Sequence, residues 1–394
     1  MRCGKNTLGA TSAPLHPPEL VASRSLRRAT TNGLEVAGLP PRTASTGGVN
    51  PQSSRNINRI LKRIDEILLA GLLVWLARTW NSASMGKRKF FIDTDTATDD
   101  AVALLIALRH SGIEVLGISI VAGNCPAPSA TQNALYTRDL VGSKVPVHVG
   151  ADRPLMRPLQ TAQHVHGIDG MGDIGLPLNG RNPDSFKGVQ ALIDAILNNP
   201  GEVELVTLGP LTNLALAIQI EPRVVNLVKR VVIMGGTAVL PGNITPLAEF
   251  NFWVDPEAAH LVANSGIYFE MAGWDISVAH AVIDDELAAD LRKLGPLGEF
   301  AIDIQGVLRE FCINSSQFEG FDLPDPIAMA IAIEPSIVTK EKSLYVDVIP
   351  GDGAARGQTV VDVLNNLKKT PNCRVIYAAD RDRFISMLRN SLSS

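Results

Sequence analysis

Four carboxylates stand within eight residues of this chain, between an apolar segment and a second segment with helical spacing. They are Asp93, Asp95, Asp99 and Asp100. The apolar residues 90–92 predict a buried strand, and the apolar positions in 102–108 predict the buried face of a helix. The acids therefore lie on a strand-to-helix turn. In an open α/β sheet such turns lie at the carboxyl edge, where ligands bind.

The crowding of these acids indicates a cation or a catalytic site. Two carboxylates about 4 Å apart repel by roughly 4 kcal/mol at an effective dielectric constant of about 20. An all-oxygen ligand set favours Ca²⁺ or Mg²⁺ over zinc or copper. A structural alternative covers part of the cluster: with Thr98 as N-cap, Asp99 and Asp100 would lie in the first helical turn, where the helix dipole favours negative charge. Asp93 and Asp95, at the strand end, have no comparable structural role.

From Lys87 onward, apolar β-branched runs alternate with helical patterns, which predicts a doubly wound, mostly parallel α/β sheet in one domain, residues 85–394. The predicted strands are 89–93, 114–121, 145–149, 203–208, 230–234 and 267–271. The predicted helices include 129–141, 188–198, 212–220, 256–264 and 285–294. A late pair of apolar segments, 344–349 and 374–378, predicts a small C-terminal hairpin.

Residues 1–84 differ in composition from the rest of the chain. They carry 11 Lys/Arg and 4 Asp/Glu, a net charge of +7, whereas the remainder carries 25 and 36, a net charge of −11. The apolar run 67–77 is shorter than the roughly 20 residues that a membrane span requires. Met85 would make a natural start, so we interpret 1–84 as an extension outside the domain; an organellar targeting arm is the alternative.

Composition narrows the classes of partner and compartment. The overall net charge of −4 gives no reason to expect a nucleic-acid partner. Four widely spaced cysteines favour a reducing compartment over a disulfide framework. We therefore expect a cytoplasmic protein without a membrane span, or an organellar one if the basic extension is a transit peptide.

Further polar clusters follow other predicted strands. Asn124 follows the second strand and suits either a ligand hydroxyl or an Asx turn. The loop 163–173 carries two His and two Asp among glycines, which favours a substrate lid over a metal site. Thr212 is expected to cap the next helix, and the carbonyl groups at that strand end are free to coordinate a cation.

The segment 242–257 is the second dense polar region. Glu249 and Asn251 alternate around Phe250, which predicts one polar face of an extended segment. Asp255 and Asp325 each precede a proline and are expected to act as helix N-caps, with the proline in the first turn.

Taken together, these segments resemble the inosine-uridine preferring nucleoside hydrolase family, from about Lys89 to Ala330. The resemblance rests on ordered motifs: DTDTATDDAVALLIAL (93–108), VAGN (121–124), GADRPL (150–155), HGIDGMGD (166–173), LGPLTNLALA (208–217), MGG (234–236), GNITPLAEFNFWVDPEAA (242–259) and DPIAMA (325–330). It implies a Rossmann-like nucleoside hydrolase fold and a metal-dependent hydrolase that splits ribonucleosides into free base and ribose. It also implies a homodimer or homotetramer.

The resemblance implies roles for individual residues. Asp95, Asp100, Asp325 and the backbone carbonyl group of Leu208 would bind Ca²⁺, with Asp95 also the general base. Asp99 would hold the ribose 2′-hydroxyl. The remaining sugar contacts would come from Asn124, Met234, Asn243, Glu249 and Asn251. A carboxylate base suits Ca²⁺, which activates water less than Zn²⁺ does.

The sequence departs from the family pattern at three places. Thr96-Ala97 replaces the usual Pro-Gly, Pro324 replaces a His associated with leaving-group activation, and residues 1–84 have no counterpart. His166 is the candidate substitute for the missing acid. Two other interpretations are a DxD phosphatase, whose later motifs are not evident, and a degenerate hydrolase fold that binds nucleosides or calcium. The sequence does not indicate the preferred base.

Overall fold

The computed structural model describes residues 86–316 and 319–393. The segment that we interpret as an extension, 1–84, lies outside the described residues. No helix in the described part of the chain is long and apolar enough to cross a membrane.

Twelve strands lie in the described ranges. They are β1 (Arg88–Thr94), β2 (Ile113–Ile120), β3 (Val147–Val149), β4 (Val203–Thr207), β5 (Arg230–Met234), β6 (Phe269–Ala272), β7 (Val282–Ile283), β8 (Phe321–Asp322), β9 (Val338–Leu344), β10 (Val346–Val348), β11 (Thr359–Val361) and β12 (Cys373–Ala379). Eight of them form the central sheet in the order β3-β2-β1-β4-β5-β6-β12-β9. All neighbouring pairs are parallel except β12 and β9. The predicted mostly parallel sheet is confirmed.

Helices connect and cover these strands. They are α1 (Thr98–Arg109), α2 (Ala127–Leu140), α3 (Gln163–His166), α4 (Gly188–Asn198), α5 (Thr212–Ile220), α6 (Val224–Leu227), α7 (Phe250–Val254), α8 (Pro256–Asn264), α9 (Trp274–His280), α10 (Asp285–Arg292), α11 (Pro296–Asp303), α12 (Gly306–Phe311), α13 (Pro324–Ile333) and α14 (Arg381–Leu392). A π-helical segment, Cys312–Ser316, follows α12, and a 3₁₀ turn, Pro335–Ile337, follows α13.

The core has two layers, one on each face of the sheet. Successive residues of β1 alternate between them: Phe90 and Ile92 pack with α1, α2 and α13, whereas Phe91 packs with α4, α5 and α8. Alternation along a strand places neighbouring side chains on opposite faces of the sheet. Helices on both faces are the doubly wound arrangement, and they leave the carboxyl edge of the strands open for a site.

The predicted C-terminal hairpin of 344–349 with 374–378 is wrong. Residues 346–348 pair instead with Thr359–Val361 in a separate two-stranded sheet. Strand β12 enters the central sheet, parallel to β6 and antiparallel to β9. Of the first predicted segment, only Leu344, the last residue of β9, pairs with β12, whereas residues 346–348 pair with a strand that the sequence analysis did not predict.

Candidate active site

The polar residues gather at the carboxyl edge of the sheet, at the ends of its central strands. Asp95 follows β1, Asn124 follows β2, Leu208 follows β4, and Met234 ends β5. Asp325 reaches them from the far end of the chain, in the first turn of α13. Parallel strands bring segments that are distant in sequence to one edge, and this juxtaposition builds the site.

Three carboxylates form the centre of the site. Asp99, Asp100 and Asp325 each offer an oxygen within 4.8 Å of the other two, and all three side chains are buried. Asp95 lies next to them. Burial raises the pKa of Asp95, Asp99 and Asp325 well above the ordinary value, and the negative charge of Asp100 raises each further. We refer to these four side chains as the acidic cluster.

The acidic cluster holds oxygens that no protein group satisfies. Asp95 Oδ1, Asp99 Oδ1 and Asp325 Oδ2 are buried without a hydrogen-bond partner among the described residues. Buried polar atoms are nearly always paired in folded proteins, so three unpaired carboxylate oxygens in neighbouring acids indicate a ligand. A divalent cation would satisfy the oxygens and cancel the repulsion, and the residues present therefore fit a metal centre.

Asp100 is held by the turn that precedes its helix. Its carboxylate accepts hydrogen bonds from the Thr94 hydroxyl, from Ala97 N at 2.9 Å and from Asn124 Nδ2 at 3.3 Å. Ala97 is the N-cap of α1, so the expected N-cap role of Thr98 is wrong. The Thr98 hydroxyl instead lies 2.7 Å from His166 Nδ1.

Asp95 occupies a space that two glycines leave open. Its Oδ2 accepts a hydrogen bond from Asn124 N at 2.5 Å. A Cβ atom at Gly123 would stand 2.1 Å from Asp95 Oδ2, and one at Gly209 would stand 2.5 Å from Oδ1. Any side chain at either position would displace the carboxylate, so both glycines are needed to seat Asp95.

Asp93 has a different environment from the acidic cluster. It accepts hydrogen bonds from the Ser119 hydroxyl and from Asn213 Nδ2, the latter at 2.7 Å. Burial raises its pKa to about 7. Through its two hydrogen bonds, Asp93 connects β1 to β2 and to α5.

Glu249 and Asn251 support the strand-end backbone. Glu249 is the N-cap of α7 and accepts hydrogen bonds from Asn251 N and Gly236 N, so the extended segment predicted around Phe250 is wrong. Burial raises the pKa of Glu249 to about 7. Asn251 Nδ2 donates to the Leu208 carbonyl group at 2.8 Å.

Asn243 lies at the rim of the same pocket. Its side chain is exposed, and its Oδ1 accepts a hydrogen bond from Phe250 N at 2.9 Å. Met234 packs deeper, where its sulfur lies 3.2 Å from Asn251 Nδ2.

His166 ends the short helix α3 in the predicted lid loop and is buried. Its Nδ1 lies 3.7 Å from Asp99 Oδ1, besides its contact with Thr98. Burial, together with the charge of His164, lowers the pKa of His166 to about 3. In the protein without substrate the ring is therefore neutral at physiological pH.

Of the three remaining helix-cap predictions, one is confirmed and two are wrong. Asp255 caps α8 by accepting from Ala258 N at 3.0 Å, as predicted. Thr212 does not cap α5; its hydroxyl donates to Asp255 Oδ2 at 2.6 Å. Asp325 is not an N-cap, because Leu323 holds that position and Asp325 lies inside the first turn of α13.

Most of the candidate site residues that the sequence analysis names line one pocket. It is lined by Asp99, Asn124, His166, Leu208, Met234, Asn243, Glu249, Asn251 and Asp325. Asp95 and Asp100 are wholly buried beside it.

Sequence reasoning missed several residues that line the same pocket. They include Trp274, Leu308 and Phe311, which together with His164 of the predicted lid loop form what we call the aromatic wall, although Leu308 is aliphatic. His164 and Phe311 meet edge to face with their ring centroids 5.7 Å apart. Cys312 and Asp322 line the pocket next to them. The wall residues come from α3, α9 and α12, and no local motif marks Trp274, Leu308 or Phe311.

The family model of the inosine-uridine preferring nucleoside hydrolases matches residues 90–386. The chain belongs to this family. It is 35% identical over 301 residues to the pyrimidine-specific ribonucleoside hydrolase RihB of Escherichia coli (strain SE11), which covers 76% of this chain and 95% of the relative.

Solved structures agree with the assignment. The plant nucleoside hydrolase PpNRh1 superposes with a TM-score of 0.73 at 30% identity, covering 78% of this chain and all of the other. The purine-preferring ribonucleoside hydrolase from Gardnerella vaginalis gives 0.72 at 27% identity, covering 77% and 98%.

The chain is therefore a nucleoside hydrolase, an enzyme that hydrolyses N-glycosyl bonds. This excludes the phosphatase interpretation of the DxD segment. The relatives named above differ in base preference, one being pyrimidine-specific and another purine-preferring. Family membership alone thus leaves the base undetermined for this nucleoside hydrolase.

Proposed function

We propose that this nucleoside hydrolase splits ribonucleosides into free base and ribose by direct attack of a water that Asp95 deprotonates, with Ca²⁺ held by the acidic cluster. The observation that carries the proposal is the set of unpartnered oxygens on Asp95, Asp99 and Asp325 beside a pocket at the carboxyl edge. No covalent sugar intermediate is required.

The donor set suits a hard cation. Asp95, Asp100 and Asp325 supply carboxylate oxygens, and the Leu208 carbonyl group, which already accepts from Asn251, keeps a second lone pair. When bound, Ca²⁺ would supply positive charge that orients the water and the sugar hydroxyls. All-oxygen ligation supports Ca²⁺ or Mg²⁺, and the family resemblance favours Ca²⁺.

The base that we propose is Asp95. Its Oδ2 is fixed by Asn124 N, and its Oδ1 is left to take a proton. Glycoside cleavage passes through an oxocarbenium-like state, which nearby carboxylates stabilise. Asp99, which lines the pocket, would hold the ribose 2′-hydroxyl.

The remaining sugar contacts are proposed for the polar side of the pocket. Asn124, Asn243, Glu249 and Asn251 line it, with Met234 packed among them. Glu249 accepts three backbone hydrogen bonds, from Gly236, Asn251 and Phe252. It therefore offers a hydroxyl less free capacity than an unbonded carboxylate would.

Leaving-group activation is proposed for His166, since Pro324 stands where many members of the family have His. A neutral imidazole with a lowered pKa donates a proton only if bound substrate raises that pKa. The negative charge that builds on a departing base acts in this direction.

A panel of ribonucleosides, assayed for free ribose with and without EGTA, tests the proposal. We expect release from at least one nucleoside, loss of release after chelation, and recovery on adding Ca²⁺. Activity that survives exhaustive chelation, with no metal found by elemental analysis, would contradict the metal centre. Nucleoside binding without any ribose release would favour the degenerate binding module.

Assembly and location are further proposals. The family resemblance favours a homodimer or homotetramer, which light scattering of the purified protein tests. The cysteines of the described residues, Cys125, Cys312 and Cys373, are free and buried. They support a reducing compartment, the cytoplasm being our proposal, and imaging of the tagged full chain tests it.

A further inference from the structure

Asp322 is a pocket residue that the proposed mechanism does not use. It lies in β8 and is only 5% exposed. Its Oδ2 accepts hydrogen bonds from Trp274 Nε1 at 3.0 Å and from the Ser277 hydroxyl at 2.6 Å. Two donors on one oxygen fix the rotation of the carboxylate.

The second oxygen of Asp322, Oδ1, has no such donors. Among residues 86–316 and 319–393, no side chain or backbone group donates a hydrogen bond to Oδ1 from another residue, yet Oδ1 is not one of the enclosed unpaired atoms. Asp322 itself lines the pocket. The fold thus presents one oriented acceptor to whatever occupies this space.

The surroundings of this acceptor suit a planar ring. Trp274, which donates to Asp322, belongs to the aromatic wall with His164, Leu308 and Phe311. The Cys312 thiol lines the same pocket, and burial, together with the charge of Asp322, raises its pKa to about 12. A neutral thiol adds to the apolar character of this side, whereas the polar side carries the groups proposed for the sugar. An aromatic base fits the wall better than ribose does.

We propose that Asp322 reads the nucleobase: its Oδ1 accepts a hydrogen bond from a ring N–H, so that the enzyme prefers bases of the lactam type, such as uracil or hypoxanthine. This inference rests on the proposed function. A site built to bond an N–H discriminates against a substrate that lacks it, because the buried acceptor is then left unpaired. N-methylation of that ring nitrogen should lower kcat/KM by about 10–100-fold.

The geometry makes Asp322→Asn an informative variant. Trp274 Nε1 and the Ser277 hydroxyl both donate, so the amide oxygen should take the position of Oδ2. The amide NH₂ group would then face the pocket in place of Oδ1. The substitution converts an acceptor into a donor, and it should favour a base with a ring acceptor, such as cytosine N3 or adenine N1.

The experiment measures kcat/KM for uridine, 3-methyluridine and cytidine, and in parallel for inosine, 1-methylinosine and adenosine. The wild-type enzyme should favour the unmethylated lactam about 10–100-fold. Asp322→Asn should bring that ratio near one and raise the relative rate with cytidine or adenosine. Ser277→Ala is the matched control, because it disturbs the same wall but leaves Oδ1 an acceptor; it should keep the wild-type ratio.

Several results would overturn the inference. A wild-type ratio near one, or an unchanged ratio in Asp322→Asn, would show that Asp322 does not bond the ring N–H. A defect in Asp322→Asn that disappears with 5′-deoxyuridine would place Asp322 on the sugar. If Asp322→Asn does not fold, Asp322→Ser is the second variant, and it should also bring the ratio near one. A wild-type enzyme that releases base from none of the six nucleosides would instead contradict the proposed function, and this inference with it.

Discussion

Buried acids have opposite electrostatic surroundings at the two ends of the strands of the central sheet, which we call its amino edge and its carboxyl edge. At the amino edge, alternating charges run across six consecutive strands: Arg88, Glu204, Arg230, Glu270, Arg374 and Glu341. We call these residues the charge ladder. Burial alone would raise the pKa of Glu204 and Glu270, but neighbouring cations hold both below the ordinary value: Arg88 and Lys229 for Glu204, and Arg230 and Arg374 for Glu270. At the carboxyl edge, acids are buried next to other acids and their pKa values are raised.

One helix joins the two edges. Asp325 lies in the first turn of α13, and the last turn accepts hydrogen bonds from the charge ladder: Arg88 donates to the carbonyl groups of Ile333 and Ala332, and Arg230 donates to that of Ala332 at 2.7 Å. Cations at a helix C-terminus are stabilising. The comparison teaches that acids buried against arginines serve the structure, whereas acids buried against one another, with no cation beside them, indicate where a ligand binds.

Asp95→Asn should give the largest effect. The amide keeps the shape of the side chain but cannot accept the proton, so kcat should fall by about 10²–10⁴-fold. Because the substitution also removes a carboxyl group whose ionisation is disfavoured by burial and by Asp100, the free energy of unfolding in EGTA should not decrease. Steady-state kinetics and urea unfolding measure the two effects. A variant that keeps more than a tenth of the wild-type kcat would refute the general-base role.

His166→Ala tests the leaving-group step at the same edge. We expect a fall in kcat of about 10²-fold with natural nucleosides, because their bases leave poorly without a proton. With p-nitrophenyl riboside, whose leaving group needs no proton, the fall should be much smaller. Equal losses with both substrates would show that His166 positions the substrate or shapes the lid, and that it is not the acid.

Glu204→Gln is the matched change at the amino edge. It leaves Arg88, Lys229 and Arg230 without their shared carboxylate. The free energy of unfolding should fall by roughly 2 kcal/mol, less than for a fully buried pair because Arg88 and Lys229 reach solvent. The kcat of the folded variant should stay close to that of the wild type. Urea unfolding and kinetics distinguish this pattern from that of Asp95→Asn, and a large loss of kcat without a loss of stability would break the comparison.

The pH dependence of stability should also differ between the edges. An acid whose pKa is higher in the folded than in the unfolded protein, as in the acidic cluster, stabilises the fold at a pH below its unfolded-state pKa. This stabilisation is lost as the pH rises through the folded-state pKa. An acid whose pKa is lower in the folded protein, such as Glu204 or Glu270, stabilises the fold at a pH above its unfolded-state pKa. This stabilisation is lost as the pH falls through the folded-state pKa. In EGTA the free energy of unfolding should therefore fall as the pH rises from about 4 through about 7, the folded-state pKa of Asp93 and Glu249.

Adding Ca²⁺ should restore only part of the free energy of unfolding that is lost as the pH rises. Asp93 and Glu249, both with pKa values raised to about 7, lie outside the acidic cluster and should keep their contribution. Urea unfolding at several pH values, with EGTA and with Ca²⁺, measures this. Identical pH profiles in the two conditions would mean that the cation does not bind the cluster.

Local sequence predicted the elements that a single segment determines. Helices 188–198, 212–220 and 256–264 begin and end at the predicted residues, because the apolar spacing and a flanking proline or polar residue mark their ends. The mostly parallel sheet followed from uninterrupted apolar strands. The β10 and β11 pairing did not follow, since the partner of a short strand is decided by packing across the molecule.

In the candidate site, too, local sequence predicts some residues correctly and fails for those that depend on tertiary packing. The motif residues from Asp99 to Asp325 line one pocket, because strand ends converge. The cap positions of Thr98, Thr212 and Asp325 were mispredicted because each side chain has a tertiary partner or setting that local rules omit. The aromatic wall and Asp322 come from α3, α9, α12 and β8, and only the fold brings them together.

The smallest effect is expected from deletion of residues 1–84. A chain that starts at Met85 keeps Arg88, the first member of the charge ladder, and the family match begins at residue 90. The deleted segment has the opposite net charge to the domain. We expect unchanged kcat/KM and an unchanged melting temperature, whereas a longer deletion through Lys89 should destabilise the protein because it removes Arg88 from Glu204. Aggregation or lost activity of the Met85 form would mean that the apolar run 67–77 packs on the domain.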